Sequence, residues 1–446
     1  MEEMGIATGL IFWAATAASF VLLFFLGNVL KLPLWVRVMT GLVLGGLVGY
    51  LFGERATIIK PIGDAFVQLI RMLVIPLIFT TLVSGVVAMG DPKRLGSLGI
   101  KAISLYLVTT IFAVGLGLAF GSYFEPGVGI DYTAASADAA NTISSRLDSA
   151  ANSGTIIDRL LAIIPTNPLQ AMSATDVLAT IFFAIILGVG ILSAGEKGKL
   201  VGEVIESAAE AILKVTGFVM AVAPYGVFAL MAWVLGDQGL GILVNLGKLT
   251  AALYLACLFQ IVFVYGGIIR IILGLPFFKF IRGILDAMST AYSTASSAAT
   301  LPVTISNVSK NLGVEKSVAG SVLPLGATIN MDGTSIYLGL IALFAAQALE
   351  MDLVMTDYLL IAMTATMASI GAAGIPSASL FLAVTVLSVF NVPEEAAILI
   401  IAVIFPFDRI LDMMRTMTNV TGDAAVASAV GKWEGALDED VFRGKK

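Results

Sequence analysis

The residues best suited to chemistry stand in one row. In residues 405–423, FPFDRILDMMRTMTNVTGD, Asp408, Asp412, Arg415, Asn419 and Asp423 fall at i, i+4, i+7, i+11 and i+15. On a helix they project from one narrow stripe, with Thr416 at its edge. The surrounding residues are Met, Ile, Leu, Val and Ala. Charged groups in so apolar a helix are costly, so they face a bundle interior or a wet cavity and pair there. A single Asp–Arg lock between helices would need neither the additional carboxylates nor the amide and hydroxyl in the row. The chemistry on offer is capture of a charged solute. A guanidinium grips a carboxylate in two hydrogen bonds, and a carboxylate one turn before it suits an ammonium group.

The elements around the row are membrane-spanning. The chain has 446 residues, 58% hydrophobic and 13% charged, with a mean hydropathy of +0.98. Apolar runs of about 20 residues, enough to cross a bilayer, number about eight or nine. That predicts an all-α polytopic membrane protein, and the alternating segments of an outer-membrane barrel are absent. The net charge of −6 says nothing about nucleic acid, but no basic cluster exists that could neutralise phosphates, so no nucleic-acid partner is expected. One cysteine, Cys257, excludes disulfide frameworks and thiolate metal sites within the chain. The absence of histidine removes the commonest zinc ligand, the Ser-His-Asp triad and imidazole relays.

The acidic start, Met1-Glu2-Glu3, is unlike the basic opening of a cleaved signal, so the apolar helix at 5–30 is expected to be retained. Lys31 and Arg37 put its far end in the cytoplasm, as Lys93, Arg94 and Lys101 do for the loop at 90–101. Further spans are expected at 34–52, 62–89, 102–123, 204–235 and 240–272. The polar stretch 124–157 reads as an external loop, and Pro165-Thr166-Asn167-Pro168 breaks the apolar region 160–192. Tyr106, Thr109 and Thr110 form a hydroxyl patch whose spacing alone suggests only bonds back to the helix.

Two stretches of small and hydroxyl residues end in proline: STASSAATLP (293–302) and MASIGAAGIP (367–376). Each precedes an apolar segment interrupted by polar groups, Asn330-Met331-Asp332-Gly333-Thr334 in the first case and the Asp412 row in the second. A hairpin-plus-helix unit occurring twice is the signature of secondary transporters built from inverted repeats. Small residues at a hairpin tip let main-chain groups approach a solute, and unwound backbone is tolerated in a membrane only where it lines a cavity. Gly333 is expected to permit an unusual backbone conformation that frees carbonyls. Those carbonyls, Asn330, Asp332 and nearby hydroxyls would suit a hard monovalent cation, and the carboxylate would balance its charge.

Together, KPIGDAFVQLIRMLVIP (60–76), PTNP (165–168), TASSAATLP (294–302), ATINMDGT (327–334), SIGAAGIP (369–376) and DxxRTxxNVTGD (412–423) resemble the dicarboxylate/amino acid:cation symporter family, over about residues 30–435. That family includes archaeal sodium–aspartate symporters and the excitatory amino acid transporters. The resemblance implies about eight family helices, two re-entrant hairpins as gates, and an elevator-type transport domain on a homotrimeric scaffold in the plasma membrane. It divides the chain into an extra N-terminal hydrophobic helix (1–33), a scaffold span (34–61), a mostly transport-domain part (62–123) and an extracellular loop (124–159). A mostly scaffold and trimerisation part (160–272), the core transport domain (273–435) and a cytoplasmic tail (436–446) follow.

Carried over residue by residue, the substrate site would comprise Ser296, Ser297, Thr334, Asp412, Arg415, Thr416, Asn419 and the backbone of Gly374 and Ile375. One Na+ site would use Gly326, Asn330, Asn419 and Asp423. A second would use Thr328, Met331, Ser369, Ile370 and Ala372, and a third Tyr106, Thr109, Thr110, Asn330 and Asp332. Some relatives have Thr at the position of Ala372. Archaeal relatives carry an Arg where this chain has Ala295, and the animal transporters carry it where this chain has Met413. Arg409, on the edge of the row, is expected to take over positioning of Asp412. The Glu that couples protons in the animal transporters is Leu338 here, which favours sodium coupling without a proton.

The charges of Asp412 and Arg415 favour an acidic amino acid, L-aspartate or L-glutamate. A C4-dicarboxylate would set an anion against Asp412, and a neutral amino acid would leave Arg415 unpaired. An anion channel is a further reading. An intramembrane aspartyl protease, the enzyme alternative, would need a shared proton, whereas Arg415 favours an ionised Asp412.

Overall fold

The computed structural model describes residues 2–88, 92–130, 164–174, 176–370, 378–389, 392 and 394–445. It is 87% helical, with no strands among the described residues. Helices α1 (Glu2–Asn28) and α2 (Leu34–Phe52) lead through a 3-10 turn (Gly53–Ile59) to α3 (Lys60–Ala88) and α4 (Pro92–Phe124). The next group is α5 (Pro168–Ser173), α6 (Val177–Ser193), α7 (Glu196–Ala221), α8 (Ala223–Gln238) and α9 (Gly241–Phe259). Two π-helical segments, Gln260–Tyr265 and Ile268–Ile272, extend α9. The C-terminal half comprises α10 (Phe277–Gly283), α11 (Leu285–Thr294), α12 (Ser297–Lys310), α13 (Lys316–Ile329), α14 (Asp332–Ala348), α15 (Met355–Ile370), α16 (Ala378–Val389), α17 (Glu394–Trp433) and α18 (Glu439–Arg443).

Among the described residues, five helical stretches are long and apolar enough to cross a membrane, or six if a bent pair counts as one span. That pair covers the span expected at 204–235: α7 and α8 meet there at a 50° bend. Pro224, in the first turn of α8, cannot donate to the preceding turn, so the ladder restarts there. The expected break at PTNP is present. Asn167 caps α5, accepting from the N–H groups of Leu169 (3.1 Å) and Gln170 (3.2 Å), and Pro168 opens the helix.

The first helices are held by close backbone approach. Gly41, Gly45 and Gly49 line one face of α2, and a Cβ on them would collide with the carbonyls of Pro224, Phe228 and Ala232 on α8. The glycines at a four-residue period on α2 let its backbone touch that of α8, where lipid offers no hydrophobic drive for association. Helix α1 covers this pair. Phe12 and Leu23 are buried, and the Phe20 ring lies edge-on to Tyr225 and Phe228, both at 5.3 Å. The other face of α1 exposes Leu10, Trp13, Val21 and Phe24.

Helices α13 and α14 form the interior; the most apolar window of Lys316–Ala348 is completely buried. Helices α11 and α12 pack on each other and on α17, and α15 packs on α16, so both expected hairpin regions contain paired short helices. At the C-terminal end, Leu437 bridges Val314 antiparallel to it, and the Ala436 carbonyl accepts from the Glu315 N–H at 2.9 Å. Lys101 (2.7 Å) and Ser97 hydrogen-bond to Glu434 and hold its carboxyl below the usual range, tying α4 to the end of α17.

Candidate functional site

The row on α17 is one buried stripe, as the 3.6-residue period requires. Asp408, Asp412, Arg415, Asn419 and Asp423 are each at most 5% exposed. Arg415, fully buried, lies between two carboxylates: Nη1 is 3.0 Å from Asp408 Oδ1 and Nη2 is 3.0 Å from Asp412 Oδ1. Its guanidinium carbon sits 3.8 Å from the centre of the Tyr337 ring. Tyr337 in turn donates to Asp408 Oδ1 at 3.1 Å. Both terminal nitrogens of Arg415 are thus engaged by carboxylates, while its Nε is buried without a hydrogen-bond partner. Stacked and charge-paired, the fork is held in place.

The start of α14 faces the same helix. Asn419 Oδ1 accepts the Gly333 N–H at 2.7 Å, so a side chain of α17 caps α14. Asn419 Nδ2 lies 3.2 Å from the Met331 sulfur. Here the expectation for Gly333 is corrected. Its backbone is helical, and the break is carried by Asn330 (φ −90°, ψ 81°) and Met331 (φ −109°, ψ 52°). Gly333 is needed for close approach instead, because a Cβ there would collide with the Arg415 backbone.

Asp423, at the end of the row, and Asp332, at the start of α14, are two further buried carboxylates near Asn330. Asp332 is wholly buried and accepts from Thr110 (2.7 Å), Gln260 (2.9 Å) and Tyr265 (2.7 Å). Asp423 accepts from Asn330 Nδ2 at 3.0 Å. Among the described residues neither forms an ion pair with Lys or Arg, so only neutral donors face these two buried carboxylates. An isolated buried carboxylate is costly. This donor set therefore suits monovalent cations. Among the described residues no group of three or more His, Cys, Asp and Glu could hold a metal ion.

The first and third expected sodium sets are drawn into this cluster. A Cβ on Gly326 would meet Asp423 Oδ1 and Tyr106 Oη, so its backbone touches both. Thr109 reaches Asn330 Oδ1 at 3.5 Å, and Tyr106 donates to the Val322 carbonyl at 3.1 Å. The second set is not joined by side-chain hydrogen bonds among the described residues. Thr328 and Ser369 turn their hydroxyls back onto their own helices, to Leu325 and Thr366, and Ile370 packs on the main core. Ala372, Gly374 and Ile375 lie outside the described residues.

At the first hairpin, Ser296 is buried and caps α12 by accepting the Ala299 N–H at 3.2 Å. Ser297 follows it into the helix, and Thr334 and Thr416 are buried on α14 and α17. Arg409, 7% exposed, donates to the backbone of this hairpin, to Thr294 O at 3.1 Å and Ser293 O at 3.4 Å.

The sequence reading placed neither Gln260 nor Tyr265 at a site; residues 241–272 were expected with the scaffold. The two are five residues apart, a spacing that an α-helix points in different directions. The π turn at 260–265 closes on i+5 and brings both to Asp332 Oδ2. Tyr337 was also missed, three positions after Thr334 on the same helix, and Asp408 was seen in the row without its role.

Residues 34–433 match the sequence profile described as the sodium:dicarboxylate symporter family. The chain belongs to that family. Its members are symporters, so it is a transport protein of the membrane and not an enzyme. It is 36% identical over 413 residues to the proton/sodium-glutamate symport protein of Bacillus subtilis (strain 168), covering 92% of this chain and 94% of that one. It is 36% identical over 401 residues to the proton/glutamate-aspartate symporter of the same organism, covering 90% and 95%. It is also 36% identical over 417 residues to the C4-dicarboxylate transport protein of Leptothrix cholodnii, covering 92% and 90%. Helix α1 precedes the matched region of this symporter-family chain, and α18 follows it.

Proposed function

We propose that the chain is a sodium-coupled symporter of an acidic amino acid, L-aspartate or L-glutamate, in the plasma membrane. The observation that carries this reading is the Asp408–Arg415–Asp412 arrangement, with 3.0 Å contacts on both sides of a buried guanidinium. A solute carboxylate can take the N–H groups of Arg415, and its ammonium can take Asp412. Ser296, Ser297, Thr334, Thr416 and Asn419 complete the pocket, with the backbone of Gly374 and Ile375 as its second gate. Asp332 and Asp423 each call for a cation. Na+ at Tyr106, Thr109, Thr110, Gly326, Asn330 and Asn419 would answer that, with a further ion at Thr328, Met331, Ser369, Ile370 and Ala372. Coupling follows physically, since solute and cations neutralise one another's surroundings in a site that water leaves on closure.

The protein works as a homotrimer. In each protomer residues 273–435, with most of 62–123, carry the site across the bilayer against a scaffold built from 34–61 and most of 160–272. Gln260 and Tyr265 travel with the site because they hold Asp332.

C4-dicarboxylate transport is the second reading, favoured by relatives of that name at the same identity. Asp412 opposes it, because a second carboxylate would replace the ammonium. The test is uptake by the purified protein in liposomes under an inward sodium gradient. Labelled aspartate, glutamate, succinate and a neutral amino acid are compared. Accumulation of aspartate or glutamate alone supports the proposal. Succinate uptake equal to that of aspartate overturns the Asp412 argument.

A further inference from the structure

Arg409 is a buried cation that the family resemblance does not supply. It is 7% exposed, and its Nη2 reaches two carbonyls on another element, Thr294 O at 3.1 Å and Ser293 O at 3.4 Å. Helix α11 ends at Thr294, so these carbonyls belong to the terminal set that has no partner within the helix. The chain turns there at Ala295, in the left-handed region at φ 52°, and Ser296 then opens α12. The hairpin tip is thus two helix ends side by side: the negative end of α11 and the positive end of α12. The negative end would repel an anionic solute, and a guanidinium on it removes that repulsion. Arg409 Nε and Nη1 are buried with no hydrogen-bond partner, so the hydrogen bonds of the guanidinium go to these carbonyls while Asp412 and Asp408 act on its charge.

The tip is strained as well as charged. A left-handed alanine costs about 1–2 kcal/mol, so the turn persists only where something outside the hairpin holds it. Helix α17 supplies that hold from the position six residues before Arg415.

We propose that Arg409 is the positioning residue of the first hairpin: by capping the C-terminal end of α11 it fixes the tip against α17 and presents Ser296 and Ser297 to the solute. The role in presenting solute groups rests on the acidic amino acid reading above; the role in holding the tip does not.

The test uses the full chain with Arg409→Gln and Arg409→Lys, read in two ways. In liposomes under a sodium gradient, Arg409→Gln is expected to raise the KM for L-aspartate about tenfold. The maximal rate stays near that of the parent. Arg409→Lys, which returns a cation to the helix end, recovers part of the KM. Separately, Ala295→Cys is placed in a Cys257→Ser background and labelled with a maleimide in sodium-free buffer. Ala295 is buried, so its labelling reports opening of the tip. Arg409→Gln is expected to speed labelling several-fold, and Arg409→Lys less.

An unchanged labelling rate overturns the proposal, even if KM rises, because Arg409 would then contact the solute and not the hairpin. An unchanged KM with faster labelling overturns the claim that the tip presents solute groups. Should the parent protein transport no acidic amino acid, the functional reading fails, while the labelling experiment still decides what holds the tip.

Discussion

Replacing Arg415 with Ala removes two things at once, and the structure separates their sizes. The solute loses a carboxylate anchor of two charged hydrogen bonds. At about 1.5–3 kcal/mol each, that is roughly a hundredfold or greater loss of affinity. The protein loses the cation between Asp408 and Asp412, each 3.0 Å from it and each buried. Removing one partner of a buried ion pair costs about 3–5 kcal/mol of stability. A weak binder could therefore be merely a poorly folded one. The double variant Arg415→Ala/Asp408→Asn resolves this, since it restores the charge balance and leaves the anchor missing. The assay pairs thermal unfolding in detergent with calorimetric titration of L-aspartate at saturating sodium. The single variant should lose both stability and binding; the double variant should regain much of the stability and none of the binding. Binding by the double variant within tenfold of the parent would refute the assignment of the anchor.

Three further outcomes follow from the geometry. Asp332→Asn removes a charge from a carboxylate held by Thr110, Gln260 and Tyr265, so sodium titration at fixed aspartate should become less steep by about one ion; an unchanged steepness contradicts its role. Gly333→Ala places a methyl group in the Arg415 backbone, so thermal unfolding should show a loss of about 1–3 kcal/mol and aspartate affinity should fall with it; melting equal to the parent's contradicts the close approach. Leu338 is buried in α14 and cannot titrate, so aspartate uptake at fixed sodium should stay nearly constant as external pH moves between neutral and mildly acid. A strict requirement for an inward proton gradient contradicts sodium-only coupling.

Much of the site was legible because an α-helix converts spacing into direction. The row from Asp408 to Asp423 needed only the 3.6-residue period, and its burial followed from the charges lying in apolar sequence. The first hairpin was legible as a small-residue run, although its turn is at Ala295 and Pro302 lies inside α12; residues 371–377 of the second lie outside the described residues. What stayed hidden depends on departures from that period or on contacts distant in sequence. Gln260 and Tyr265 share a face only because the backbone adopts a π turn. Gly333 was read as a conformational residue, but its need comes from the Arg415 backbone, 82 positions away. Pro224 bends 196–238 into two helices, where the apolar run alone suggested one span. The partners of Arg409 could not be inferred, because the Ser293 and Thr294 carbonyls lie 116 and 115 positions away in sequence.

On the proposed function, buried carboxylates that no Lys or Arg pairs with make solute capture conditional on metal cations. The direct measurement is calorimetric titration of the purified protein with L-aspartate, once in sodium chloride and once in choline chloride at equal ionic strength. Tight binding in sodium and none in choline is the predicted result. Equal affinity in the two buffers would contradict the account.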